Sequence, residues 1–165
     1  MKYVYVLIFI LVFILSGLDL GYTNQSPLYT HLTYMFQHSG VVHLLMNSLA
    51  FIGMFRTMEK FINKWMLSVF IIISSFIVSF TAMYSIPTVG ASSMIYTMIG
   101  MYFGITIYNR DIKIADTRKY LLFIFVVAVS LVVSYFKHNS NFNLHFFCMV
   151  FGYVISLLNR KRQLP

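Results

Sequence analysis

One serine, two histidines and an asparagine stand near the starts of apolar segments: Ser92 in Gly90-Ala91-Ser92, His145 in Asn143-Leu144-His145, and His43 with Asn47. A serine hydroxyl is a weak nucleophile until a base removes its proton. An imidazole with an ordinary pKa of about 6.5 suits that task at neutral pH. His43 and Asn47 are four residues apart and so share a helix face, where an imidazole and an amide N–H can be aimed at one developing oxyanion. Gly90 permits a tight backbone turn or a close approach just before Ser92. A helix starting at Ser92 adds backbone N–H groups and the positive end of a dipole. The chemistry these residues could do is acyl transfer, with Ser92 as nucleophile, His145 as general base, and His43, Asn47 and the Ser92 N–H as oxyanion donors. Tyr96, one turn beyond Ser92, is expected to stack on the His145 ring and orient it.

Positioning these groups falls to apolar helices. The chain has 165 residues, 59% hydrophobic and 10% charged, with a mean hydropathy of +0.80. Soluble domains carry about 25% charged residues. The runs predict an all-α polytopic membrane protein, a single domain over 1–165 with six spans: Tyr3–Leu18, Gly40–Phe55, Trp65–Ile86, Ala91–Tyr108, Tyr120–Phe136 and Phe142–Leu158. Basic residues orient it. With the N-terminus cytoplasmic, Lys2, Arg56, Lys60, Lys64, Arg110, Lys113, Arg118, Lys119 and Arg160-Lys161-Arg162 fall inside; of the 12 Lys and Arg, only Lys137 falls outside. Both termini are then cytoplasmic. The net charge of +8 reads as this topology signal, with anionic lipid contact at the tail, and not as nucleic-acid binding. The first span is expected to be retained, the alternative being a signal peptide cut near Ser16-Gly17. The stretch Asp19–Ser39 reads as an outer loop, its Tyr and His packing at the interface.

Under this topology spans two, four and six run the same way, so His43, Asn47, Ser92 and His145 share one depth. Of the acids Asp19, Glu59, Asp111 and Asp116, the last three lie on the other side and Asp19 is in a loop, so a Ser92–His145 dyad is expected rather than a triad. Gly100 and Gly104 form a G-x-x-x-G on the stripe of Ser92 and Tyr96. Cys148, Gly152 and Ser156 form a matching stripe below His145. Such stripes let two membrane helices approach closely. The single cysteine, Cys148, excludes an internal disulfide, and no Cys/His spacing resembles a metal site. His31 and His38 are read as structural, with substrate gating as the alternative. Glu59 is read as tying the end of the second span to its loop.

The chain resembles the rhomboid family of intramembrane serine proteases. The resemblance is carried by Thr33-Tyr34-Met35-Phe36-Gln37-His38 with His43-Leu44-Leu45-Met46-Asn47, Glu59, Gly90-Ala91-Ser92-Ser93, Tyr96, Gly100, His145 and Gly152. It implies a six-helix bundle that cleaves single-span membrane proteins in or just outside the bilayer, without a cofactor. It also implies lateral substrate access past the fifth span and the loop Lys137–Asn143 above it. The departures are Ser93 in place of a glycine after the nucleophile, Cys148 at the first glycine after the base, Phe55 at the glycine before the acid, and no Trp-Arg pair in the first outer loop. Ser93 is a rival nucleophile, about 100° around the helix from Ser92. A pseudoprotease that binds membrane segments without cutting them is the alternative; a transporter using His43 and His145 as proton relays ranks third. A bacterial cytoplasmic membrane is the expected location.

Overall fold

The computed structural model describes residues 1–15, 19–81, 85–108, 117–137 and 140–158. Among these are seven α-helices: α1 (Lys2–Ile14), α2 (Thr30–Thr33), α3 (Val41–Met58), α4 (Lys64–Ser79), α5 (Ser92–Tyr108), α6 (Thr117–Phe136) and α7 (Phe142–Leu158). A 3₁₀ turn, Tyr34–Phe36, follows α2. The long helices coincide with the six apolar runs, with shifted ends. α3 continues through Met58, and α4 stops at Ser79 rather than near Ile86. The proposed cleavage at Ser16-Gly17, the cations Arg110 and Lys113, the acids Asp111 and Asp116, and the Arg160-Lys161-Arg162 tail lie outside the described residues.

By length and composition α3 and α6 are sufficient to cross a bilayer, with mean hydropathies of 1.4 and 2.2, while α1, α4 and α7 are shorter apolar helices. Their outward faces are greasy: Leu45 and Leu49 on α3, Val69 and Ile73 on α4, and Leu121, Phe125, Val129 and Val132 on α6 are exposed. Surfaces of this kind on every side of a bundle match a hydrocarbon surrounding.

α5 is the central post. Residues Ser93 through Met101, with Gly104 and Ile105, are all buried, which only a helix packed on several sides can achieve. α7 lies closest to it. A Cβ on Gly100 would overlap the Met149 carbonyl, one on Gly104 would overlap Ser156 Oγ, and one on Gly152 would overlap the Thr97 carbonyl. The two small-residue stripes therefore face each other, backbone against backbone. α1 packs on α3 through an aromatic cluster, with the rings of Tyr5 and Phe9 lying 5.1 and 5.5 Å from that of Phe51. Lys2 and Glu59 form a salt bridge between these helices. Glu59 thus ties α3 to the start of α1 and not to its own following loop, because the Lys2 ammonium is the nearby charge that can satisfy it. α6 is peripheral and buries Val127 and Ser134 alone.

Residues 19–40, before α3, are also more structured than a simple loop. Tyr22, Tyr34 and Met35 are fully buried. Tyr34 donates its hydroxyl to the Ser75 carbonyl at 3.1 Å, and Tyr22 pairs with Thr88 in an isolated β-bridge. Buried tyrosines need such partners, and the bundle supplies them where the interface was expected to.

Candidate active site

The starts of α3, α5 and α7 meet at one end of the bundle. The segment before α5 is held by two backbone ties: Gly90 N–H donates to the Tyr34 carbonyl at 3.0 Å, and Thr88 N–H to the Tyr22 carbonyl at 2.9 Å. Gly90 has φ of 120°, a region that L side chains rarely adopt, and a Cβ there would lie 2.8 Å from His43 Nε2. Glycine thus allows both the turn and the close approach that set Ser92 beside α3. α7 begins at an N-cap, with Asn141 Oδ1 accepting from Leu144 N–H at 3.0 Å. The Asn141 amide donates to the Tyr22 hydroxyl and Thr88 Oγ1 at 3.2 and 3.1 Å, joining the start of α7 to the same bridge. The start of α7 is thus tied down at Asn141; of the loop Lys137–Asn143, His138 and Asn139 lie outside the described residues.

Here Ser92 Oγ and His145 Nε2 are 2.8 Å apart. Tyr96 stacks on the His145 ring, with centroids 4.5 Å apart and planes inclined by 21°. Ser93 is fully buried and lines neither cavity that reaches Ser92. Its side chain points to the packed side of α5 while that of Ser92 points to His145. Cys148 is fully buried on the α7 stripe.

His43 Nδ1 lies 3.0 Å from Ser39 Oγ and 3.4 Å from the Ser39 backbone N–H. A backbone N–H can only donate, so Nδ1 accepts and the proton sits on Nε2. That Nε2–H borders Gly90. Asn47 Nδ2 donates one hydrogen to the His43 carbonyl at 3.0 Å, and would be 3.6 Å from a Cβ on Gly90. Both donors of α3 therefore border the turn that carries Ser92.

Two cavities of about 950 Å³ each meet at the pair, sharing Met46, Ser92, Ser130 and His145 as lining. One is apolar and runs between α3, α5 and α6 past Met54, Ile99 and Phe123 to Lys60 and Lys119. The other opens among Ser39, His43, Ser134, Lys137 and Asn141.

His31 and His38 take separate places. His31 is sandwiched by Tyr22 and Phe80, at 4.9 and 4.2 Å, and its Nδ1 meets Ser79 Oγ at 2.8 Å. Ser79 gives its own hydrogen to the Phe76 carbonyl, so His31 is the donor. His38 is buried, packed against Phe9 and edge-on to His43 with ring centroids 5.2 Å away in each case. Neither His38 ring nitrogen has a partner of normal hydrogen-bond geometry. Burial, aided by His43, lowers its pKa from 6.5 to about 4, against a weak opposing pull from the Phe36 backbone. The unfolded chain therefore binds more protons than the folded one between those values. Stability is full above the unfolded pKa and falls as pH drops towards about 4, by up to about 3 kcal/mol. Thermal melts of the wild type across this range should slope downwards towards acid, and His38→Phe should flatten the slope. Parallel curves for the two proteins would contradict this.

Serines 39, 130, 134 and 140 and Asn141 were not singled out from sequence. The signal, such as it was, lay in Ser130 and Ser134 standing one turn apart in an otherwise apolar run. Membrane-helix serines commonly back-bond to their own helix, as Ser130 does to the Val127 carbonyl at 2.8 Å, and this hides their other contacts.

No curated protein matches the chain. A family model described as the Rhomboid domain matches residues 25–162, a stretch that takes in every helix from α2 through α7. The paired hydroxyl and imidazole thus stand in a chain that belongs to the rhomboid family of integral membrane proteins.

Proposed function

We propose that the protein is an intramembrane serine endopeptidase of the rhomboid type, a single domain whose six long helices all cross the bilayer. The observation that carries this reading is the 2.8 Å contact between Ser92 Oγ and His145 Nε2. Ser92 Oγ attacks the scissile carbonyl carbon while His145 Nε2 takes its proton. The oxyanion is held by His43 Nε2–H, an Asn47 amide hydrogen and the Ser92 backbone N–H. His145 then gives the proton to the departing amine, and the acyl-enzyme remains on Ser92. Water attacks the ester, its proton passes to Nε2, and Ser92 recovers the hydrogen as the acid product leaves.

The two cavities suit the two reactants. The apolar one, flanked by the loosely packed α6, fits a hydrophobic substrate segment arriving from the lipid; the polar one offers water a route to the same atoms. A single-span membrane protein is the substrate class. Charge supports the proposed orientation: Lys137 lines the cavity at the site end, and Arg56 and Lys60 stand at the far end of α3, about 27 Å away for an 18-residue helix. The site then lies near the outer surface and both termini lie in the cytoplasm.

Fluorophosphonate labelling tests the reading. Wild type and Ser93→Ala should label, and Ser92→Ala should not. An unlabelled wild type would favour the pseudoprotease, and loss of labelling in Ser93→Ala alone would move the nucleophile. Asn47→Ala should slow cleavage by about 10²–10³-fold if its amide holds the oxyanion; unchanged turnover would remove Asn47 from that role.

A further inference from the structure

The imidazole of a serine hydrolase needs its second nitrogen held, since that contact sets both the tautomer and the ring direction. A carboxylate usually does this, and among the described residues none meets His145. The structure gives the contact to α6 instead. Ser134 Oγ lies 2.9 Å from His145 Nδ1, and 2.6 Å from Ser140 Oγ. With Nε2 accepting from Ser92, Nδ1 carries the ring proton and donates it to Ser134. Ser134 keeps its own hydrogen for Ser140. One turn earlier on the same helix face, Ser130 gives its hydrogen to the Val127 carbonyl and so accepts the Tyr96 hydroxyl, 2.8 Å away. Tyr96 is the ring stacked on His145. α6 thus touches the base twice, directly through Ser134 and by way of Tyr96 through Ser130. Ser134 is 5% exposed on a helix most of whose residues face outwards.

We propose that Ser134 is the third member of this site, a positioning residue that takes the acid's place and holds His145 in the Nδ1–H tautomer. This rests on the serine-hydrolase reading of Ser92 and His145. The arrangement is a chain of directed hydrogen bonds from Ser92 to His145, Ser134 and Ser140, in which the hydrogens of Ser92, His145 Nδ1 and Ser134 each have an acceptor. It differs from a carboxylate triad in being neutral: Ser134 orients the imidazole and accepts from it, without placing a full negative charge beside the imidazolium. Because Ser130 and Ser134 ride on one helix, displacing α6 removes both supports from the base together.

The test uses the full chain in detergent, a fluorophosphonate as probe and ¹⁵N-histidine NMR. Threonine and valine are close in shape, but only threonine keeps the hydroxyl. Ser134→Val should lower the saturating labelling rate by about 10–100-fold with the half-saturating probe concentration unchanged, and Ser134→Thr should return most of that loss. The His145 Nδ1–H resonance, assigned by its absence in His145→Ala, should persist in the threonine variant and vanish or exchange-broaden in the valine one. If the valine variant does not fold, Ser134→Ala takes its place, with its thermal midpoint measured alongside. Labelling at the wild-type rate without the hydroxyl would overturn the proposal, as would a threonine variant as slow as the valine one. If the wild type fails to label, the hydrolase reading fails, and NMR still judges the contact: an Nδ1–H signal identical in wild type and Ser134→Val sinks it.

Discussion

Ser92→Ala should reduce cleavage of a reconstituted single-span membrane protein by about 10⁴-fold or more, the scale on which removing a serine nucleophile acts. The fold should survive. The side-chain bond of Ser92 goes to His145, and the helix around it is held by buried neighbours from Ser93 to Met101. His145→Ala should fall to a similar level, and the double variant no further, because nucleophile and base act as a unit. Turnover is measured in proteoliposomes, with circular dichroism and a thermal melt to show that the variants are folded. Full activity in folded Ser92→Ala would end the assignment of the nucleophile, whatever else the chain does.

The second large effect is expected far from the reacting atoms. Gly152 lies two turns along α7 from His145, against the Thr97 carbonyl of α5. Leucine at this position cannot be absorbed by a rotamer change, since the obstacle is backbone, so the two helices must separate. The Ser92–His145 contact spans that same interface. Misplacing catalytic groups by about 1 Å can cost 10²-fold in rate, and Gly152→Leu should lose at least about that much. Overpacking should also lower the thermal midpoint by roughly 5–10 °C. Val69→Leu adds bulk on the outward side of α4, at a residue 52% exposed, and should change neither quantity. A Gly152→Leu protein with wild-type turnover and midpoint would show that the α5–α7 contact does not hold the site together.

Much of this was readable from residue order, for a local reason. A long apolar run must satisfy its backbone within itself in a membrane and so becomes a helix, and the positions of α3, α5, α6 and α7 follow. Steps of four place Gly100 and Gly104 on one face and Gly152 and Ser156 on another, and small residues at that spacing have one common use. The pairing of Ser92 with His145 and the stacking of Tyr96 follow once those two stripes are brought together. The ends of α4 and the fate of the residues between α1 and α3 did not follow. They depend on which buried tyrosine finds a carbonyl across the bundle, as Tyr34 finds that of Ser75.

The finer chemistry of the site belongs to the folded state. Which nitrogen of His43 carries a proton depends on the Ser39 N–H turning back onto Nδ1. Which group meets His145 Nδ1 depends on how α6 is rotated about its own axis, and an apolar helix with a few scattered serines has no periodicity that would settle that rotation. Glu59 reaches Lys2, more than fifty residues away in the chain. Order along the chain decides which residues form helices and which faces are small enough to touch; hydrogen-bond partners are chosen across helices, by orientations that arise only when the whole bundle has packed.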